Sequence, residues 1–81
     1  MGYYVSMNRI EPVGEYDDGW FVEKRWPTGK RVQMIVWIKK GRVVKLEILN
    51  RRGTTISTDR DARRKLKRML PTVYKKLNTA Y

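Results

Sequence analysis

Apolar and polar positions alternate along the middle of the chain, and three polar tips interrupt this alternation at intervals of twelve residues. The tips are Pro27-Thr28-Gly29, Lys39-Lys40-Gly41 and Arg51-Arg52-Gly53. Alternation with a period of two is typical of half-buried strands. A three-residue hairpin loop commonly ends on a residue with positive φ, where glycine carries no Cβ penalty. The pattern therefore predicts an antiparallel meander of four strands, at residues 20–26, 30–38, 42–50 and 54–57.

The apolar positions also predict the register of these strands. With Lys39-Lys40-Gly41 as the loop, Val36 faces Val44, whereas a two-residue loop would place Val36 opposite Lys45. A slip of one residue turns every side chain of a strand to the other face of the sheet. We therefore expect three-residue loops at all three tips. Across the other two tips the expected partners are Trp20 with Val36, Val22 with Met34, and Ile48 with Ile56.

The same alternation divides the sheet into an apolar inner face and a polar, basic outer face. The inner face comprises Trp20, Val22, Val32, Met34, Val36, Ile38, Val44, Leu46, Ile48 and Ile56. Large apolar side chains also stand at the centre of the outer face: Phe21, Ile35, Trp37 and Val43. Bases of single-stranded nucleic acid stack on exposed aromatic rings, so we expect Phe21 and Trp37 to serve as stacking platforms. The alternative is that a second subunit or the N-terminal segment covers this cluster.

A helical pattern follows the sheet. Thr58 is a candidate N-cap, and Asp59 and Asp61 would complement the positive end of the helix dipole. Helical spacing places six apolar residues on one stripe: Ala62, Leu66, Met69, Leu70, Val73 and Leu77. Pro71 interrupts the pattern, so we predict a kink or break near Leu70. The apolar stripe should cover the inner face of the sheet. The other side of the helix is then a basic ridge, which either binds along a phosphate backbone or is solvated.

Residues 1–19 form a separate, acidic N-terminal segment, and residues 20–81 form the single sheet-plus-helix domain. The first stretch, 3–7, is either a short additional strand or a disordered arm. Pro12, Gly14 and Asp17-Asp18-Gly19 then indicate a loop and a turn. The acidic groups of this segment are expected to lie in an ordinary solvated loop, with partial cover of the basic surface as the alternative.

The charge balance points to a polyanionic partner. The chain has 81 residues and carries 19 Lys and Arg against 8 Asp and Glu, a net charge of +11. Self-repulsion of this size is unfavourable in a small body unless a polyanion neutralises it, and nucleic acid is the usual one. A merely solvated surface is the alternative, although solubility does not require charge of one sign.

The composition also excludes several chemistries. Cysteine and histidine are both absent, which rules out disulfides, thiolate or imidazole metal sites, and nucleophile pairs that need histidine. We therefore expect no enzymatic activity, no metal and no cofactor. No apolar run reaches the roughly 18–20 residues of a membrane helix, and the N-terminus lacks a signal-peptide pattern. We expect no membrane contact and an intracellular location, in the cytoplasm, nucleoid or nucleus.

The candidate nucleic-acid contacts combine the outer-face aromatic residues with the basic residues of the sheet, tips and helix. They are Phe21, Arg25, Trp26, Lys30, Arg31, Trp37, Lys39, Lys40, Arg42, Lys45, Arg51, Arg52, Arg60, Arg64, Lys67 and Arg68. Trp26 precedes Pro27 at a hairpin tip, where packing under the loop and stacking on a nucleotide are both open. Trp20 is assigned to the core.

The stretch Arg52-Gly53-Thr54-Thr55-Ile56-Ser57-Thr58-Asp59, followed by Leu66 and Leu70, resembles the positive cofactor four family of transcriptional coactivators and their phage and bacterial relatives. The resemblance covers roughly residues 19–70. It implies a β-β-β-β-α protomer, a homodimer built partly through the helices, and single-stranded DNA bound across the sheet. The counterparts on the sheet would be Arg25, Arg31, Trp37 and Lys45. The long basic helix with its proline, and the acidic N-terminal segment, depart from the family pattern.

The sequence as a whole predicts a non-catalytic, α+β nucleic-acid-binding protein that is homodimeric and prefers single-stranded DNA. RNA is a further possible ligand. One alternative is a duplex-binding architectural or transcription-regulatory protein that uses the basic helix, or a small chromatin-type barrel with the same strand count. Another is a protein-interaction adaptor whose outer sheet face is a subunit interface.

Overall fold

The computed structural model describes residues 2–49, 55–57 and 61–80. The fold is α+β, with an antiparallel sheet whose strands are hydrogen-bonded in chain order and two helices that follow it. The strands are β1 Tyr4–Ile10, β2 Asp18–Arg25, β3 Arg31–Lys39, β4 Arg42–Leu49 and β5 Thr55–Ser57. The helices are α1 Ala62–Met69 and α2 Pro71–Ala80. The predicted meander is confirmed.

The segment before residue 20 supplies an edge strand of this sheet, the additional N-terminal strand that the pattern allowed. In β1, Val5 is paired with Lys24 and Met7 with Val22. Val5 and Met7 also pack against the hydrophobic core. The N-terminal segment is therefore part of the same layer as the meander, because its apolar side chains extend the inner face.

The β2–β3 hairpin has the predicted three-residue loop. The backbone N–H of Trp26 donates to the carbonyl of Lys30 at 2.9 Å, and Gly29 has a φ of 95°. The resulting partners, Val22 with Met34 among them, agree with the prediction. The tip at Gly53 lies outside the described residues, although Ile48 is paired with Ile56 as expected.

The β3–β4 hairpin differs from the prediction, because its loop has two residues. Lys39 pairs with Arg42, and the intervening Lys40 and Gly41 have φ values of 52° and 74°. Two consecutive positive φ values are typical of a type I′ turn, whose twist matches that of the flanking strands. The prediction of a three-residue loop at Gly41 is wrong.

A β-bulge then restores the apolar alignment that a two-residue loop alone would have destroyed. The register shifts between Trp37 and Ile38, so that Ile38 is paired with Val43 and Trp37 with Lys45. The additional residue, Val44, lies between these pairs, as in a β-bulge. Val36 consequently faces Leu46 and not Val44. Val43 packs against the core, so its assignment to the outer face is also wrong.

The predicted break near Leu70 is confirmed, and it divides the C-terminal segment into two helices where one was expected. Leu70 has φ −136° and ψ 72°, and its N–H donates to the carbonyl of Leu66. Proline disfavours helical conformation in the residue before it, but it is well tolerated as the first residue of a helix. Pro71 therefore ends α1 and begins α2.

Both helices bury the predicted apolar stripe against the inner face of the sheet. Ala62, Leu66, Leu70, Val73 and Leu77 are buried, and Met69 is half-buried. They form one core with residues of the middle strands: Val22, Met34, Val36, Ile38 and Leu46.

The start of α1 is only partly described. The predicted cap, Thr58, and Asp59 lie outside the described residues. Asp61 is the N-cap of α1, and its side chain makes no capping hydrogen bond. Within the described ranges, neither helix is long and apolar enough to cross a membrane.

Candidate nucleic-acid interface

Trp37, the expected centre of the outer face, is not an exposed platform. Its side chain is only 6% exposed. The ring of Tyr16 stacks on it, with centroids 5.2 Å apart and planes inclined by 20°. Gly19, its cross-strand partner, lies against the indole ring. The prediction of an exposed Trp37 is wrong, because the N-terminal segment covers it, as the alternative stated.

The cover is the loop between β1 and β2, residues 11–17, which we call the acidic loop. The N–H of Asp17 donates to the carbonyl of Ile38 at 2.9 Å, and the Asp17 carboxylate accepts from the N–H of Lys40 at 2.7 Å. Glu15 pairs with Lys39 at 3.5 Å. Two predicted contact residues, Lys39 and Lys40, are thus engaged by this loop, while Arg42 beside them is exposed.

The rest of the outer face combines the apolar side chains of Phe21 and Ile35 with polar side chains that are largely paired with one another. Phe21 is half-buried opposite Ile35. Gln33 donates to Glu23 at 2.9 Å, and Lys45 lies 3.7 Å from Glu47. Among the described residues, no cluster of three or more His, Cys, Asp or Glu could hold a metal ion. The Lys45 ammonium is therefore already paired with the Glu47 carboxylate.

An aromatic and basic cluster lies instead at the end of the sheet that carries the β2–β3 loop. On its inner side the Lys24 ammonium lies 4.0 Å from the ring centroid of Tyr3 and 5.0 Å from that of Trp26. The Lys30 ammonium lies 5.3 Å from the Trp26 ring, and the Tyr3 and Trp26 rings are 6.4 Å apart. The three distances from a lysine ammonium to a ring are within the range of cation–π interactions. Trp26 thus stands between two lysines.

The outer side of the same end adds a tyrosine and two arginines. Arg25 donates to the Tyr4 hydroxyl at 3.5 Å. This hydrogen bond, together with the nearby Glu23 carboxylate, raises the pKa of Arg25 above its ordinary value. Arg31 is the direct cross-strand partner of Arg25, an unfavourable pairing of like charges. The residues that we call the hairpin-tip site are Tyr3, Tyr4, Lys24, Arg25, Trp26, Lys30 and Arg31.

The aromatic rings of this site remain accessible. Tyr3 is 51% exposed and Tyr4 is 60% exposed. Trp26 is half-buried. A cleft between the N-terminal residues and the loop is lined by Tyr3, Tyr4, Arg25, Trp26 and Pro27. Both sides of the sheet end thus present aromatic rings beside cations.

The acidic side chains lie mainly at the opposite end of the sheet. Glu15 and Asp17 are bound at the β3–β4 tip, and Asp18 pairs with Arg9 at 3.1 Å. Separation of the signs leaves the positive charge of the hairpin-tip site largely uncompensated. Such a surface attracts polyanions through its summed potential.

The ridge of α1 is a second basic surface. Arg64, Lys67 and Arg68 are exposed, as is Arg63. Arg63 and Lys67, and likewise Arg64 and Arg68, are like charges four residues apart, which destabilises a helix. Lys67 lies 5.9 Å from the Tyr74 ring. The remaining predicted contacts, Arg51, Arg52 and Arg60, lie outside the described residues.

The sequence analysis missed Tyr3, Tyr4 and Lys24. Only the pairing of β1 with β2 brings the first two beside Trp26, because the partner of a strand is not encoded in its own alternation. Lys24 lies on the inner face of the sheet, opposite Val5 and Val32, whereas the predicted contacts on the sheet were taken from the outer face. A signal existed in the adjacent tyrosines near the N-terminus, in a chain with only nine aromatic residues (three Trp, five Tyr and one Phe).

Comparison of the chain with protein-family models, curated proteins and solved structures found no match. Function is therefore inferred from the geometry of this interface alone.

Proposed function

We propose that the protein is a non-catalytic nucleic-acid-binding protein that prefers single strands and binds them at the hairpin-tip site. The observation that carries the proposal is a group of aromatic rings, exposed Tyr3 and Tyr4 and half-buried Trp26, that lies among lysines and arginines. The sequence predicted a binding site centred on Trp37, whereas the proposed site is centred on Trp26.

Aromatic rings at a sheet end suit single strands because unpaired bases can present their flat faces. Stacking of one base contributes about 1–3 kcal/mol and tolerates any sequence. Tyr3 and Trp26 are inclined by 49°, so they offer two separate platforms and not one parallel slot. A strand that crosses this end would place successive bases on the two rings.

The cations around the rings would bind the phosphates. Lys24 and Lys30 flank Trp26 on one side of the sheet, and Arg25 and Arg31 lie on the other. A bound phosphate between Arg25 and Arg31 would relieve their mutual repulsion, and an arginine can bind phosphate in a bidentate manner. The Arg25 guanidinium is charged throughout the physiological range, as arginine side chains in proteins are. An intracellular location follows from the proposal, because that is where such ligands occur.

The test is a titration with oligo-dT, duplex DNA and RNA of the same length, followed by tryptophan fluorescence and by anisotropy of a labelled strand. Trp26→Ala should lower the affinity for oligo-dT about tenfold, within the range that one stacked base contributes. Trp26→Phe, which keeps a ring, should recover most of the loss.

Tyr3→Ala separates loss of stacking from loss of fold, because Tyr3 is 51% exposed and its truncation should lower stability only by the roughly 0.5–1 kcal/mol of its cation–π contact with Lys24. Val13→Ala is the matched control, since Val13 is 59% exposed in the acidic loop. If Tyr3→Ala and Trp26→Ala both bind oligo-dT as tightly as the parent protein, the hairpin-tip site is not the binding surface.

The basic ridge of α1 supports a second candidate, a duplex-binding protein. Its like-charge pairs would be stabilised by a phosphate backbone that follows the helix. This function is favoured if duplex DNA binds more tightly than oligo-dT and if Trp26→Ala leaves duplex affinity intact. An adaptor that uses the outer sheet face would bind neither form at moderate salt. The homodimer and the regulatory role implied by the family resemblance stay predictions.

A further inference from the structure

Three consecutive residues of the acidic loop present an anion, an aromatic ring and a second anion to the β3–β4 end of the sheet. The Glu15 carboxylate lies 3.5 Å from the Lys39 ammonium. The Tyr16 ring stacks on Trp37, with centroids 5.2 Å apart. The Asp17 carboxylate accepts the N–H of Lys40 at 2.7 Å. An aromatic ring flanked by two negative groups is also the repeating pattern of a single-stranded nucleic acid.

The surface beneath this tripeptide has the components of a nucleotide site. Indole is a stacking platform, a lysine ammonium binds phosphate, and a free backbone N–H at a tight turn is a common anion donor. The 20° between the Tyr16 and Trp37 planes is the near-parallel arrangement that a stacked base would adopt. Trp37, Lys39 and Lys40 were predicted as contacts from the sequence, and here they share one occupant.

The closed arrangement leaves one polar group unsatisfied. Trp37 is 6% exposed, and its Nε1–H is buried without an acceptor among the described residues. A buried donor without a partner opposes the closed state, since its desolvation is not compensated. The Glu15–Lys39 pair is partly solvent-exposed, at 70% and 38% of the two side chains, and exposed pairs contribute little. A competing nucleic acid can replace the contacts of Glu15, of the Tyr16 ring and of the Asp17 carboxylate, whereas the hydrogen bond from the Asp17 N–H to the Ile38 carbonyl is lost when the loop is displaced.

We propose that Trp37, Lys39 and the Lys40 N–H form a second subsite for single-stranded nucleic acid, and that Glu15-Tyr16-Asp17 is an internal mimic that closes it. The inference rests on the proposed function, because it assumes that the hairpin-tip site already binds such a strand. Displacement of the loop places a base on Trp37 and phosphates at Lys39 and Lys40. The apparent affinity of this subsite is reduced by the fraction of molecules in which the loop is closed.

The first test neutralises the two anions and keeps the tyrosine. In Glu15→Gln/Asp17→Asn, the affinity for oligo-dT should rise about tenfold, near the lower end of what one stacked base contributes. The matched control is Glu11→Gln/Asp61→Asn, which changes the net charge equally at two other exposed residues. The control should gain less than about threefold, the general effect of added positive charge.

The second test follows the indole itself. The Trp37 Nε1–H signal is assigned by comparison with Trp37→Phe in nitrogen-15 NMR spectra. Saturating oligo-dT should shift this signal strongly and speed its exchange with solvent, and Tyr16→Ala should do the same without ligand. A Trp37 signal that is unchanged by saturating oligo-dT overturns the subsite.

The two proposals fail in different ways. If neither the parent protein nor the loop variant binds oligo-dT, the proposed function itself is wrong. If the parent protein binds oligo-dT and Trp26→Ala lowers its affinity about tenfold, while the loop variant gains no more than its control, only the second subsite is wrong. If the loop variant binds oligo-dT more tightly than the parent protein, and if Trp37→Ala in that variant abolishes the gain in affinity, the result supports the subsite.

Discussion

Gly19 shows how one missing side chain positions the aromatic residues of the outer face. It is the cross-strand partner of Trp37, and the indole ring occupies the space where a Cβ would stand. A Cβ on Gly19 would lie 2.6 Å from Cζ3 of Trp37 and 3.0 Å from Cγ1 of Ile10. The Tyr16 ring also stacks on this indole, so a shift of the indole would disturb its contact with the acidic loop.

We therefore expect Gly19→Ala to destabilise the protein by about 1–3 kcal/mol, the usual cost of overpacking a filled site. In a domain of this size the midpoint of thermal unfolding should fall by roughly 4–8 °C for each kcal/mol. The control is Gly2→Ala, where an added Cβ meets no atom within 4 Å. Equal unfolding midpoints for Gly19→Ala and Gly2→Ala would contradict this account of the packing.

Among the elements, the β3–β4 hairpin combines a two-residue turn with a bulge. The turn requires positive φ at Lys40, where a lysine is unfavourable. The bulge at Val44 then returns Val36 and Leu46 to the same face. Either feature alone would have placed apolar residues against charged ones, so the two features depend on each other.

Lys40→Asn should stabilise the hairpin by about 0.5–1 kcal/mol, because asparagine tolerates the left-handed conformation that costs other residues roughly 1–2 kcal/mol. The contact that the structure records for Lys40 is made by its backbone N–H, so truncation of the side chain should cost little. Lys39→Asn, in the adjoining strand, should be neutral or destabilising. Urea unfolding of both variants distinguishes these outcomes, and lower stability of Lys40→Asn would refute the role of the turn.

At the scale of the whole molecule, the two ends of the sheet differ in electrostatic character. The β3–β4 end carries the acidic loop, and the β2–β3 end carries cations around aromatic rings. Two clusters of cations in the described residues contribute to the net charge of +11, one at the β2–β3 end of the sheet and one on the ridge of α1. This segregation orients an approaching polyanion before any contact forms.

The salt dependence of binding should report the number of phosphates neutralised. With about six phosphates, the logarithm of affinity for oligo-dT should fall with log salt at a slope of about −4, and on duplex DNA at about −5. Lys30→Gln should make the oligo-dT slope shallower by about 0.7, the loss of one phosphate contact. Lys76→Gln removes an equally exposed charge from α2 and should leave the slope unchanged. Identical slopes for the two variants would show that attraction is general and not located at the hairpin tip.

Local patterns in the sequence were enough to locate the four strands of the meander and the helical stripe, but not to decide between a strand and an arm for β1. Alternation and turn glycines located four strands, and the helical stripe identified the residues that cover the sheet, five of which are buried. Pro71 placed the break at Leu70. These features depend on backbone preferences and on burial of one face, which act between near neighbours in the chain and so appear directly in the sequence.

Tertiary structure decided which aromatic residues are accessible. The alternation of side chains correctly placed Trp37 on the outer face. Only the folded loop shows that Tyr16 covers it. A loop has no periodic pattern from which the course of its backbone could be predicted. In the same way, pairing of β1 with β2 brought Tyr3 and Tyr4 beside Trp26. The sequence pattern could not reveal the bulge at Val44. Beyond the bulge, a two-residue turn followed by one additional residue places the same side chains on each face of the sheet as a three-residue loop does. The sequence determined the meander, the helical stripe and the charge, and contacts between distant segments decided which aromatic and basic side chains lie together and accessible.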